Sequence, residues 1–288
     1  MLPPRECVVF LTRSVADSCR LGRLEALLET AGTERIPWLL YNVEPNATEL
    51  LRLHARNPHL RLARQQNVTA SAWRIFGGKM INYSKGAFLL WLLSEGSQCT
   101  HTWQIEDDVF FTGRWNTLFD AYAQQDTDLV ALTQTISPAD NWPWEARGCF
   151  VEPNVPCRLG GQLQSVVWPL LCLSRRLALE LSHTFERGGH GFHEAIMHPV
   201  CARARWCSHA QLSAAHVGDI IAGHLGGVSK TQQTLELLAL NLRKGWRTNA
   251  SRLQMSAVPE NKAFHPVKCE ADQLLGNKAR RWAGIKFR

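Results

Sequence analysis

No apolar run in this sequence approaches the ~20 residues that a helix needs to cross a bilayer, so no membrane span is expected. The longest such run, residues 87–93, is typical of a short buried helix. The chain opens without a signal peptide and runs straight into an apolar strand. We therefore expect a cytoplasmic protein, or one of the Golgi lumen if an N-terminal anchor lies outside this sequence.

The nine cysteines include no pair at the CxxC spacing of a zinc site. Cys149 with Cys157, and Cys201 with Cys207, are spaced to close short disulfide loops, and free buried thiols are the alternative. Four glycosylation sequons lean toward a secretory-pathway lumen, and they begin at Asn46, Asn67, Asn82 and Asn249. The sequence leaves the compartment open.

The 288 residues carry a net charge of +7, which suits an anionic ligand such as a nucleotide diphosphate. Basic residues are scattered along the chain, except for short runs at 278–281 and 286–288. A solvated basic tail is the ordinary explanation of such runs, so nucleic acid is not expected as a partner. The hydrophobic fraction of 45% and the charged fraction of 20% are those of a globular protein, not a disordered one.

Strand and helix patterns alternate along the first half of the chain. Apolar, β-branched-rich runs predict strands at residues 7–11, 38–43, 60–63, 101–105, 128–132 and 164–173. Helical periodicity predicts helices near 21–31, 84–94, 175–185 and 193–202, and one within 228–243. Residues 137–165 are interpreted as a long loop, and 261–288 as a tail on the surface. This alternation is typical of an α/β fold with a parallel sheet.

The strongest local signal is the acidic triplet Glu106, Asp107 and Asp108, which follows the apolar strand at 101–105 and precedes Val-Phe-Phe. An exposed acidic turn is rarely enclosed by apolar residues on both sides. In open parallel sheets, ligands bind beyond the carboxyl ends of the strands, where these acids fall. Hard divalent cations take carboxylate and phosphate oxygens as ligands. The triplet therefore predicts a metal and diphosphate site.

A strand that ends in an acidic triplet, followed by Val-Phe-Phe-x-Gly-x-Trp, resembles the DxD region of GT-A glycosyltransferases. The resemblance implies the GT-A fold, a Rossmann-like, mixed and mainly parallel sheet flanked by helices in one large domain. Residues 1–135 would form its nucleotide-sugar half and 136–288 its acceptor half. It also implies Mn²⁺ (or Mg²⁺), with Asp108 as the metal ligand and with Asp107 and Glu106 as donor-binding acids.

A glycine-rich turn leads into the predicted helix at 193–202 and places Glu194 near the helix start. Inverting glycosyl transfer needs one general base to take a proton from the acceptor hydroxyl. Glu194 resembles the base of inverting GT-A enzymes, although Ala195 stands where their pattern has a second acid. The alternative is a glutamate that only interacts with the helix dipole.

The segment Phe264-His265-Pro266 resembles one near the C-terminus of fringe-like and core-1-type galactosyltransferases, in which the histidine completes the metal shell. His265 is therefore the first choice as a second metal ligand, with His216 and His224 as rivals. Lys268 is predicted to neutralise diphosphate charge as the leaving group departs.

Further candidates are named from their positions in the sequence. Residues at strand ends, or at the start of the helix at 84–94, are predicted to contact the donor, and these are Thr12, Arg13, Ser14, Asn42 and Lys85. Aromatic and basic residues of the long loop are predicted to contact an acceptor sugar, and these are Trp142, Trp144 and Arg147.

The sequence thus predicts a metal-dependent inverting glycosyltransferase that moves a hexose or pentose from a UDP-sugar, or a GDP-sugar, to a glycan or glycoconjugate. A retaining enzyme, in which Glu194 is structural, and an inactive glycan- or nucleotide-binding relative are the alternatives. A nucleotidyltransferase usually has a glycine-rich basic loop after its first strand, and residues 12–16 do not form one.

Overall fold

The computed structural model describes residues 6–13, 18–42, 47–65, 83–123, 125–138, 148–217, 261 and 263–264. Their strands, in chain order, are β1 Glu6–Thr12, β2 Ile36–Tyr41, β3 Arg61–Arg64, β4 His101–Glu106, β5 Phe110–Phe111, β6 Leu129–Ile136, β7 Phe150–Glu152, β8 Val155–Pro156, β9 Leu163–Ser174, β10 His209–Gln211 and β11 Ala263–Phe264. Their helices are α1 Ser18–Thr30, α2 Ala47–Arg56, α3 Tyr83–Leu93, α4 Trp115–Asp120, α5 Arg175–Glu186 and α6 His193–Arg203.

Seven of these strands form one sheet in the order β10-β6-β9-β4-β1-β2-β3. Neighbouring strands are parallel, except that β9 runs antiparallel to both β4 and β6. This mixed, mainly parallel sheet, flanked by helices in a single domain, confirms the GT-A, Rossmann-like fold class. The division into halves at residues 135 and 136 stays a prediction.

Two apolar cores lie on the two faces of the sheet. Buried residues of α3, α5 and α6 pack on one face, and those of α1, α2 and α4 pack on the other. The strands β1 and β4 are buried along almost their whole length because both of their faces are covered. Their polar ends, not their middles, are therefore the places where a ligand has access.

The predicted strands and the helices α1, α3, α5 and α6 occur near their expected positions, whereas several short elements were not expected. Helix α2 was not predicted, and Leu53 is the one buried side chain among those described in it. Residues 137–165 were interpreted as one loop, but β7 and β8 form a hairpin there. Within the expected surface tail, β11 pairs antiparallel with β5. The helix predicted within 228–243 lies outside the described residues.

Three disulfides join parts of the described chain. Cys149–Cys157 and Cys201–Cys207 close the two short loops considered from the sequence. Cys7–Cys99 links β1 to the turn before β4, and this pairing was not predicted because 92 positions separate the two residues. Cys172 is a free, buried thiol in β9. No helix in the described ranges is long and apolar enough to cross a membrane.

Candidate active site

The carboxyl ends of the parallel strands β1, β2 and β4 meet at one edge of the sheet. Main-chain hydrogen bonds extend the pairing past the strands, from Asp107 N to Leu11 O at 3.1 Å and from Asn42 N to Arg13 O at 3.3 Å. Thr12, Arg13, Asn42 and the acidic triplet therefore lie at the same edge, as predicted from their positions at strand ends. Ser14, another predicted donor contact, lies outside the described residues.

Asp107 is held by groups from β1 and α1. Its carboxylate accepts a hydrogen bond from Thr12 Oγ1 at 2.6 Å and forms an ion pair with Arg20 Nε at 2.7 Å. Arg23 donates to the Asp107 carbonyl oxygen. Neither arginine was predicted from the sequence, although one signal was available. They lie three residues apart near the start of the helix that follows β1, so they share a helix face at this edge.

Glu106 forms an ion pair with Lys85. Lys85 lies near the start of the apolar helix α3 and is only 4% exposed. A buried ammonium group needs an anionic partner, because burial without one costs several kcal/mol or more. The position of Lys85 in an apolar helix is thus explained by the acid at the end of β4.

Glu194, the predicted base, is 5% exposed and lies in the first turn of α6. Burial raises the pKa of its carboxyl group to about 7, although the Trp168 N–H and the charge of Lys85 act in the opposite direction. Lys85 therefore faces Glu194 as well as Glu106. The structure brings together two acids and one lysine that are far apart in the sequence.

The chain before Glu194 is shaped by glycines packed against a disulfide hairpin. His190 and Phe150 exchange main-chain hydrogen bonds of 2.8 Å, and their rings are in contact at 4.9 Å. Gly191 has φ +155°, and a Cβ atom there would lie 2.7 Å from Cys149 Sγ. The glycine is therefore required where the segment passes the Cys149–Cys157 disulfide, immediately before α6 begins.

Asp108 is the most buried acid of the triplet, at 6% exposure, and lies in the turn between β4 and β5. The chain returns to this place through β11, because Phe264 pairs with Phe110 and Ala263 N donates to His216 O at 2.9 Å. Gly113 allows this close approach, since a Cβ atom there would lie 3.0 Å from the Asn261 Cα.

Asp108 contributes one buried carboxylate at this place, and the main chain of His216 contacts β11 through Ala263. In the ranges that the structure describes, no three His, Cys, Asp or Glu residues form a group able to hold a metal. Phosphate oxygens or ligands from other parts of the chain would have to complete such a site. His265, His224 and Lys268 lie outside the described residues, as do the predicted acceptor contacts Trp142, Trp144 and Arg147.

No family model matches the chain, and no curated protein matches its sequence. Among solved structures, the chain is similar to mouse xyloside xylosyltransferase 1 in its apo form, with 10% sequence identity and a TM-score of 0.49. The similarity covers 91% of this chain and 98% of that chain. A likeness this distant transfers neither residues nor an activity to this protein.

Proposed function

We propose that this protein is a metal-dependent inverting glycosyltransferase that moves a sugar from a UDP-sugar, or a GDP-sugar, to a hydroxyl group of a glycan or glycoconjugate. The observation that carries the proposal is the buried Glu194, whose pKa is raised to about 7 beside Lys85 and Glu106. A carboxyl group in that range is suited to take a proton at neutral pH. A glutamate that served only to interact with the helix dipole would gain nothing from such burial.

In the proposed reaction, the acceptor oxygen attacks the anomeric carbon of the donor while the bond from that carbon to the diphosphate breaks. Glu194 takes the proton of the attacking hydroxyl group, and the nucleoside diphosphate leaves with the bonding electrons. A single displacement of this kind inverts the anomeric configuration. A retaining enzyme would need no base at Glu194.

The donor diphosphate is proposed to bind at the edge formed by β1, β2 and β4. Arg20, Arg23 and Lys85 place three positive side chains there, among acids that they partly neutralise. Asp108 is the proposed metal ligand, with His265 as second ligand and His216 or His224 as its rivals. A divalent cation bound there would offset the charge that develops on the diphosphate. Asp107, held by Thr12 and Arg20, would face the donor ribose or sugar.

The disulfides favour an oxidising compartment for this activity. Disulfides persist in proteins of the secretory pathway and are rare in proteins of reducing compartments. Together with the four sequons, the three described pairs lead us to propose the Golgi lumen over the cytoplasm.

The test is a transfer assay with a panel of UDP- and GDP-sugars and mixed glycan acceptors, run with Mn²⁺ and with EDTA. We expect turnover that EDTA abolishes, and product of inverted anomeric configuration by NMR. Glu194→Gln should lower kcat by about 10²- to 10⁴-fold, the usual contribution of a general base, while binding of the nucleotide stays intact. Asp108→Asn should lose the metal-dependent turnover.

Glu186→Gln is the matched control, because Glu186 is an exposed glutamate at the end of α5 and should have wild-type turnover. Full activity of the Glu194→Gln variant, or a product of retained configuration, would remove Glu194 from the role of base. Nucleotide binding without any turnover in the wild-type protein would favour an inactive relative.

A further inference from the structure

Gln104 is an uncharged polar residue in the most buried part of the sheet. It lies in the central strand β4 and is 0% exposed. Strand alternation places it on the same face as Glu106, opposite to Trp103 and Ile105. Burial of an amide costs free energy unless the amide is hydrogen-bonded. The Gln104 Nε2 donates to the carbonyl oxygen of Trp168 at 3.4 Å.

Trp168 lies where β9 departs from regular pairing. Ala131 of β6 pairs with Leu171, but the next residue, Leu132, pairs with Val167, so residues 168–170 have no partner on β6. Bulges of this kind redirect a strand and release its main-chain groups from the ladder. Pro169, within the bulge, has no N–H to return to the ladder.

The released main chain of Trp168 connects Gln104 to the proposed base. The Trp168 carbonyl accepts from Gln104, and the Trp168 N–H donates to the carboxyl group of Glu194. We propose that Gln104 is a positioning residue, whose amide holds the main chain of Trp168 so that its N–H points at Glu194. The inference rests on the proposed function, because it concerns the group assigned there as the base.

Among the residues that the structure describes, few other charged groups face Glu194. Lys85 approaches from α3 and carries Glu106 of β4 as its partner. His193 precedes Glu194 on α6, with its ring against the Trp168 ring at 5.0 Å. The bulge itself, residues 168–170, contains no titratable side chain. The main-chain N–H is therefore the contribution of β9 to the ionisation of Glu194.

The sign of the effect follows from which form of Glu194 the N–H stabilises. A donor to a carboxylate stabilises the ionised form and lowers the pKa, so its loss raises the pKa. Gln104→Met keeps the length of the side chain but removes the amide. We expect the pKa of Glu194 to rise by about 0.5 to 1 unit in this variant, the usual contribution of one such bond.

The experiment titrates the Glu194 carboxyl group directly in the full-length protein. ¹³C NMR of protein labelled at the glutamate Cδ atoms reports it, and the resonance is assigned by its loss in Glu194→Gln. Thr102→Val is the matched control, because Thr102 lies two residues earlier on the same face, is also 0% exposed, and its hydroxyl makes no hydrogen bond within the described residues. The pKa of Glu194 in the Thr102→Val variant should equal that in the wild type.

An upward shift in Gln104→Met, with none in Thr102→Val, supports the role of Gln104. No shift in a folded Gln104→Met protein overturns it. If Gln104→Met does not fold, Gln104→Leu removes the same amide and must give an upward shift of the Glu194 pKa, and the absence of that shift overturns the proposal equally. The titration needs no turnover, so a protein without transferase activity would refute the proposed function and still decide this point. Where turnover is found, the acid limb of kcat/KM against pH should move up with the pKa.

Discussion

Two buried carboxyl groups lie at opposite ends of the sheet and differ in how they are surrounded. Asp128 precedes β6 at the amino ends of the parallel strands and is 0% exposed. It accepts from Ser174 Oγ at 2.6 Å, from Ser208 N at 3.0 Å and from Arg176. Although burial alone would raise its pKa, these partners lower the pKa of Asp128 below its ordinary value. Glu194, at the other end, has its pKa raised to about 7.

The difference separates an acid that supports the fold from one that is suited to chemistry. Ser174 caps α5 through its contact with Leu177 N, and Ser208 leads into β10, so Asp128 joins three elements. Every partner of Asp128 favours its ionised form. Burial around Glu194 outweighs its partners, which leaves a carboxyl group able to exchange a proton near neutral pH. Removal of the Asp128 charge should therefore lower the free energy of unfolding. Removal of the Glu194 charge should raise it at alkaline pH.

The largest expected effect on stability is that of Asp128→Asn. It removes the anion from a buried cluster and should lower the free energy of unfolding by about 3 kcal/mol. The value lies at the lower end for buried ion pairs because Arg176 is half-exposed and can turn to water. Urea unfolding at pH 7.5 measures the change, and turnover per folded molecule should not alter.

Asp126→Asn is the control for that experiment, because this carboxylate is 89% exposed and two residues away. Its φ of +40° is one that asparagine tolerates, so stability should stay within about 0.5 kcal/mol of the wild type. Equal losses in both variants would show that Asp128 has no special role and would remove the contrast between the two ends.

Glu194→Gln should change the free energy of unfolding in the opposite direction. A carboxyl group whose pKa is raised in the folded state contributes stability that is present below its unfolded pKa of about 4.3 and is lost as pH rises through about 7. Glutamine does not titrate, so the variant should be more stable than wild type at pH 8, by on the order of 2 kcal/mol. Near pH 4.5 the variant and the wild type should have equal free energies of unfolding. A less stable variant at pH 8 would mean that Glu194 supports the fold as Asp128 does.

Most of the sheet was predictable because its strands are continuous apolar runs with one clear periodicity. The run at 7–11 became β1 Glu6–Thr12, and the run at 164–173 became β9 Leu163–Ser174. The reversal of β9 relative to β4 is set by contacts between distant residues, and no local pattern encodes it. The hairpin of β7 and β8 was hidden because its strands are short and its glycines and prolines resemble those of a loop.

The site residues were predictable where several of them lie in one short motif. They were less predictable where the site depends on packing between distant elements. The triplet at 106–108 and Glu194 could be named from local patterns. That Lys85 lies between Glu106 and Glu194 depends on how α3 and α6 pack on one sheet face, so it needed the structure. Arg20 and Arg23 were missed because their spacing shows that they share a helix face, whereas the contact of that face with the triplet depends on how α1 packs against the sheet.

The smallest expected effect concerns the histidines beside the Asp128 cluster. His198 of α6 and His209 of β10 have rings in contact at 5.0 Å. Burial, with a contribution from His209, lowers the pKa of His198 to about 4. A histidine with a lowered folded-state pKa contributes stability that is present above its unfolded pKa of about 6.5 and is lost as pH falls toward 4.

His198→Gln removes this proton uptake, so the loss of stability between pH 7.5 and pH 5 should be smaller than in wild type by about 1 kcal/mol, after allowance for partial solvent access. Urea unfolding at the two pH values measures it, with His59→Gln as the control because His59 is exposed.

Because Glu194 loses its contribution to stability as pH rises and His198 loses its contribution as pH falls, a His198→Gln, Glu194→Gln double variant should have the flattest profile of stability against pH in the series. A profile as steep as that of the wild type would show that other groups govern both ends.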